Sequence, residues 1–283
     1  MIIDIHVHHT WVKLDEPPWA LIEETFALAE QNGIDKIGLL GTYSFHGVDP
    51  TPEGIQECNR HAALIVKRYP KQAYSFCYLN PAHDPAFIAE ELDRCVLGEG
   101  MKGIKLWIAV NARDPRLDVV MEGARRHKLP VLHHAWYKAT EYVYNESTPA
   151  DIRDLALRFP DVPIIMAHLN GCGVRGVLDI HDLPNVYVDT SGSQPDAGFV
   201  EFAVEQLGAE HILYGSDAPI RDFASQLAKV TGARISEQAR QLILGQNGAA
   251  VAPLSALLPP FRARMPLSAQ AVSKSGSTLC VES

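Results

Sequence analysis

Met1-Ile2-Ile3-Asp4-Ile5-His6-Val7-His8-His9 opens the chain and decides how the rest is read. An apolar strand pattern runs into His6-x-His8, and alternate residues of a strand share a face. Two imidazoles about 7 Å apart along that face can grip one metal ion. A buried strand that ends in two ligands reads as the first stave of a barrel or sheet, with the site at its C-terminal rim. The same pattern also fits a strand tipped by two surface histidines. Partners downstream must decide between the two.

Working outward, seven more short apolar runs follow, at residues 35–41, 73–79, 102–108, 130–134, 163–168, 185–190 and 211–217. Helical spacing or helix-start signals separate them, at 19–32, 52–69, 85–97, 115–127, 149–159, 174–181 and 196–207, with two more stretches at 221–230 and 236–245. Eight strands alternating with helices predict an α/β fold, a single-domain (β/α)8 TIM barrel over residues 1–250. A doubly wound open sheet is the alternative, but no Gly-x-Gly-x-x-Gly follows any strand. Residues 251–283, with Pro259-Pro260 and a Ser-, Gly- and Lys-rich end, read as a C-terminal tail. It is either flexible or packs on the barrel or on a partner subunit.

Composition bounds the function. Apolar residues make up 47% of 283, enough for a large core. The formal net charge of -9, with no basic tract, argues against nucleic acid or an anionic membrane as partner. Charges or prolines interrupt each apolar run before membrane-spanning length. No signal-peptide pattern opens the chain. Its five cysteines (Cys58, Cys77, Cys95, Cys172, Cys280) form no C-x-x-C pair. A reduced, cytoplasmic protein acting on a small molecule is expected.

The polar residues that interrupt the apolar strands fall near the strands' C-terminal ends: His6 and His8, Lys105, His133-His134, His168 and Asp217. In a barrel these ends converge on one rim. Any one histidine reads equally well as a hydrogen-bonded core residue, but the whole set at one end does not. Histidines with a carboxylate make an N/O site suited to zinc or a similar divalent ion.

Five motifs then carry a resemblance: Asp4-Ile5-His6-Val7-His8, Gly103-Ile104-Lys105-Leu106, Pro130-Val131-Leu132-His133-His134, Ile165-Met166-Ala167-His168-Leu169-Asn170-Gly171 and Tyr214-Gly215-Ser216-Asp217. The chain resembles the amidohydrolase superfamily, in particular its amidohydrolase-2, or aminocarboxymuconate-semialdehyde-decarboxylase-like, branch. The resemblance implies that His6, His8, His134 and Asp217 hold one divalent ion, Zn2+ with Mn2+ as the alternative. Asp217 also handles the proton of a bound water. His168 is a further ligand or a general acid/base, His133 points outward, and Asp4 orients backbone or a neighbouring histidine. Lys105 matches the position that is carbamylated between two metals in binuclear members; in this branch it would line the pocket or contact a substrate carboxylate. Trp107 and Asn170-Gly171 depart from the commoner pattern and weaken any transfer of substrate from relatives. Such barrels often pair, so a homodimer is implied.

A divalent ion lowers the pKa of bound water toward about 7. With Asp217 as base and His168 as acid, this predicts hydrolysis of an amide, ester or lactone. The same set suits a decarboxylase (a carbon-carbon lyase) of a small unsaturated or aromatic acid. A barrel that only binds is the third reading. Trp11, Tyr43, Phe45, Trp107, Trp136 and Tyr137 lie beyond strand ends and suggest a flat substrate, while Lys138, Arg175 and Arg221 are cations placed to hold a carboxylate. The long loop at 135–148 is a lid candidate.

Overall fold

Each strand is short, parallel to its neighbours and paired in chain order. The computed structural model describes residues 1–9, 16–41, 47–193 and 195–254. Its staves are β1 (Ile3–His8), β2 (Lys36–Leu40), β3 (Ala73–Ser75, resumed past Phe76 as Cys77–Tyr78), β4 (Ile104–Leu106), β5 (Val131–His133), β6 (Ile164–Met166), β7 (Val186–Asp189) and β8 (Ile212–Leu213). Phe76 switches partners at the break in β3: its own N–H donates to Leu39, and the next one donates to Gly103. The last stave returns to the first, since Ile5 N–H donates to Tyr214 O at 3.0 Å and Asp217 N–H to His6 O at 2.8 Å. The sheet is a closed TIM barrel.

The helices are α1 (Trp19–Gln31), α2 (Pro52–Arg68), α3 (Pro85–Asp93), α4 (Asp118–His127), α5 (Pro149–Arg158), α6 (Leu169–Ile180), α7 (Phe199–Leu207), α8 (Phe223–Thr231), α9 (Glu237–Gln241) and α10 (Asn247–Val251). Their starts follow local chemistry. Thr51, Asp84, Thr148, Asp222 and Ser236 each accept a first-turn amide, and prolines follow the first three where their missing N–H costs nothing. The helix start that differs most from the sequence reading is that of α6, which begins at Leu169, not 174. Gly173, at φ 66°, kinks it there and interrupts the apolar period, which hides the first turn.

Period-two alternation sorts the strand side chains. Val131, Ile164, Val186 and Ile212 pack under the helices. Leu132, Ile165, Leu213, Tyr74 and Phe76 fill the barrel with Ile3 and Ile5. Gly103 makes room, because a Cβ there would lie 2.8 Å from the Phe76 ring. Ala252 and Leu254 join this inner cluster, so packed chain continues past residue 250, where the sequence ended the barrel. Most of the tail lies outside the described residues.

The strand β1 departs from simple alternation. Its pairing runs Asp4↔Ile37, then Val7↔Leu39, three steps on β1 against two on β2. This is a β-bulge, and it shifts the side-chain phase by one residue. Ile3 and Ile5 therefore face the inside below it, while His6 and His8 face the inside above it, and Val7 packs outward. The Asp4 carboxylate accepts the N–H groups of His6 and Ser216, both at 3.0 Å, pinning the bulge to the segment that follows β8. Burial pushes the Asp4 carboxyl up to about 7, and hydrogen bonds from Ser216 and His6 limit the rise. We expect Asp4→Ala to cost about 1–3 kcal/mol in urea unfolding, the penalty for stranding buried donors. Asp4→Asn keeps an acceptor and should recover most of it.

Candidate metal centre and substrate pocket

The bulge delivers His6 and His8 to the rim beside Asp217. His8 Nε2 lies 3.1 Å and His6 Nε2 3.5 Å from Asp217 Oδ1. Ligand atoms about 2 Å from a tetrahedral ion stand roughly 3–3.5 Å apart, so the spacing fits one ion. His6 Nε2 and Asp217 Oδ1 are buried and face each other at 3.5 Å, and His6 Nε2 forms no hydrogen bond among the described residues. Left so, they would carry a desolvation penalty that a cation relieves. Burial would push Asp217 up, but the His8 hydrogen bond and the nearby His168 and His6 imidazoles hold it well below the carboxylate range. Burial lowers His8 to about 4, so it is neutral and able to ligate at neutral pH.

Asp189, which the sequence reading passes over, completes the set. Its Oδ2 is 2.8 Å from His6 Nδ1. That bond assigns the proton to Nδ1 and turns the Nε2 lone pair toward Asp217, as carboxylates behind metal-binding histidines do. Burial acts against its charge, but the His6 contact keeps Asp189 ionised. It ends β7 as His168 follows β6, so the strand-end rule would have found it.

His168 and Asp217 both have left-handed backbones, at φ 73° and 65°. Such geometry is uncommon for non-glycine residues, though Asp and His adopt it more readily than most. It is held by backbone bonds, from His168 N–H to Asp189 Oδ1 at 3.2 Å and from Asp217 N–H to His6 O. His168 is buried, and burial keeps its imidazole well below its ordinary pKa.

His134 is not among the residues whose ligand atoms group with His6, His8 and Asp217. Its Nε2 lies 2.7 Å from Glu146 Oε1 and its Nδ1 lies 3.1 Å from His168 Nε2, so both nitrogens are engaged in this structure. Glu146 in turn pairs with Lys138 at 2.8 Å. The sequence-expected ligand set is thus brought together as His6, His8 and Asp217, with His134 one ring away. On the other side, His168 Nδ1 is 2.8 Å from Ser191 Oγ, which bonds Asp189. Asp189, Ser191, His168, His134 and Glu146 form a chain of four links between two carboxylates. Neutral imidazoles and a hydroxyl supply three protons, so one more completes it. His133 faces outward, its Nδ1 on the His134 carbonyl at 2.7 Å.

A cavity of about 710 Å³ opens above the cradle. Lys105, Trp107, Trp136, His168, Asp217 and Arg221 are among its walls. Lys105 is 2% exposed, and burial lowers its ammonium to about 8 against the pull of Asp189 and Asp217. Trp136 lies 5.2 Å from His168, ring to ring. A Cβ on Gly171 would sit 2.6 Å from that indole, so the Asn170-Gly171 departure seats it. Tyr137, expected at the substrate, is turned away: its hydroxyl donates to Asp179 at 2.5 Å and its ring carries Arg175. Trp11, Tyr43 and Phe45 lie outside the described residues.

The sequence matches the profile of the Amidohydrolase family, Amidohydro_2, over residues 3–254. The chain belongs to this amidohydrolase family. As such it is a metal-dependent enzyme. In structure this amidohydrolase is similar to 5-carboxyvanillate decarboxylase from Sphingomonas paucimobilis, with TM-score 0.72 and 18% identity over 89% of this chain and 98% of that one. It is similar also to 2,6-dihydroxybenzoate decarboxylase from Rhizobium, with TM-score 0.71 and 17% identity over 90% and 99%. Dihydroxybenzoic acid decarboxylase from Polaromonas sp. JS666, solved with manganese and 2-nitroresorcinol, gives TM-score 0.70 and 18% identity over 90% and 97%. At such identity these likenesses show a shared fold. No curated protein matches the amidohydrolase's sequence. One divalent ion, zinc or manganese, is consistent with the cradle. Among the described residues no helix is long and apolar enough to cross a membrane. Removing the orienting carboxylate by Asp189→Asn should weaken metal affinity about 10–100-fold in a chelator competition, with the barrel still folded.

Proposed function

We propose that this enzyme decarboxylates a small aromatic acid without a redox cofactor. The observation that carries the reading is the pairing of the His6–His8–Asp217 cradle with a cavity walled by Trp107 and Trp136 and reached by the Lys105 cation. Its support is the likeness of the barrel to decarboxylases of aromatic acids. This ranks decarboxylation above hydrolysis of an amide, ester or lactone, the first reading of the sequence. Both reactions draw on the same ligands, so the cradle alone does not separate them.

The reaction exchanges a C–C bond for a C–H bond. A ring carbon takes up a proton, the electron pair of the bond to the carboxylate returns to the ring, and carbon dioxide leaves. A bound divalent ion supplies Lewis acidity toward a substrate oxygen. The chain's own residues do the rest. His6, His8 and Asp217 hold the ion, and Lys105 offsets negative charge beside it. Trp107 and Trp136 present flat apolar surface to a ring and exclude water from it. His168 delivers the proton, and the His134–Glu146 pair, joined to it at 3.1 and 2.7 Å, restores it from the rim.

The test is a panel of hydroxybenzoates and related aromatic acids in heavy water with the manganese- or zinc-loaded enzyme. We expect carbon dioxide release and one deuterium at the vacated ring carbon. Replacing His168 by Gln should slow turnover by about 10²-fold or more, the typical weight of a general acid. Turnover of esters or lactones with label from ¹⁸O water, and none of the acids, would place the enzyme with the hydrolases.

A further inference from the structure

Three cations lie just past strand ends, Lys138, Arg175 and Arg221, and the structure gives them different fates. Arg175 sits over the Tyr137 ring at 4.6 Å and does not line the cavity. Lys138 lines it, but its ammonium is 2.8 Å from Glu146, so its charge is met within the site. Arg221 lines the cavity and makes no ion pair among the described residues. Its Nε–H donates to Gly192 O at 3.3 Å. Gly192 packs closely on the backbone of Gly171, where an added Cβ would lie 2.9 Å from Gly171 N. The bond fixes the side chain while its two terminal nitrogens meet no acceptor among the described residues.

A partly buried guanidinium with spare donors is a ready receptor for a carboxylate, which it grips with two parallel bonds. The cavity has another cation at its floor, where Lys105 is buried near Asp189 and Asp217. It therefore carries positive charge at two depths, together with two indoles. A volume of about 710 Å³ also exceeds what a bare benzoate fills, pockets for drug-sized ligands being about 300–1,000 Å³. We propose that Arg221 is a specificity-determining residue that binds a second anionic group on the substrate, so that the preferred aromatic acid carries two. One group lies toward Lys105 and the ion, the other at Arg221. This rests on the aromatic-acid reading of the site.

Calorimetric titration of the metal-loaded full chain with benzoate and with isophthalate (benzene-1,3-dicarboxylate) tests it without turnover. A charged hydrogen bond of ordinary strength predicts that isophthalate binds at least about tenfold more tightly than benzoate. Arg221→Gln should remove that preference, and Arg221→Lys should restore part of it. Arg175→Gln should leave it intact. Equal affinities in the wild type, or a preference that survives Arg221→Gln, would overturn the proposal. An Arg221-dependent preference in an enzyme that decarboxylates no aromatic acid would uphold the anion site and refute the reaction. Decarboxylation with no such preference would do the reverse.

Discussion

The bulge in β1 is the constraint on which the site depends. A regular strand would place Ile3, Ile5 and Val7 on one face and Asp4, His6 and His8 on the other. The barrel needs apolar residues inside at its waist and imidazoles inside at its rim, and no unbroken alternation supplies both. One extra residue between Asp4 and Val7 changes the phase and meets both demands. The cost is an amide left out of the ladder, which the Asp4 carboxylate takes up along with that of Ser216. The fold and the chemistry therefore meet at one residue. Asp4 does not line the pocket, yet it fixes where His6 and His8 stand and ties them to the segment that carries Asp217.

Charge balance at the rim follows from this placement. Asp189 and Asp217 are both held ionised within a few ångströms of neutral imidazoles, against burial that disfavours their charge. Lys105 offsets one of them. A divalent ion would overcompensate for the other and leave the pocket attractive to an anionic substrate. The buried atoms that face one another at 3.5 Å, His6 Nε2 and Asp217 Oδ1, are those an ion would join. The links from His168 through His134 to Glu146 run the other way, outward to Lys138 at the rim. The site thus separates a place for a cation from a path for a proton.

Much of this was legible in the sequence because a barrel gathers the C-terminal ends of its strands. A polar residue closing an apolar run is thereby a rim residue, and His6, His8, His168 and Asp217 were found that way. Asp189 obeys the same rule and went unread, since a lone Asp ending NVYVDT resembles an ordinary strand exit. The bulge left no mark in the alternation, which looked regular through His8. Glu146 and Tyr137 depend on loop paths, and loops have no periodicity to read. By position alone Tyr137 reads as a substrate contact, but its hydroxyl donates to Asp179. The preference between hydrolysis and decarboxylation was obscure for a related reason: the strands supply ligands common to both, and the distinguishing groups sit on the loops.

The most direct test of the cradle is elemental analysis of the purified wild type beside the double variant His6→Ala/His8→Ala. We predict about one tightly held zinc or manganese per chain in the wild type, and none in a variant that still folds. No metal in the wild type even after reconstitution, or metal retained by the double variant, would contradict the site described here. About two ions per chain would contradict its single-ion form and bring Lys105 into the ligand set.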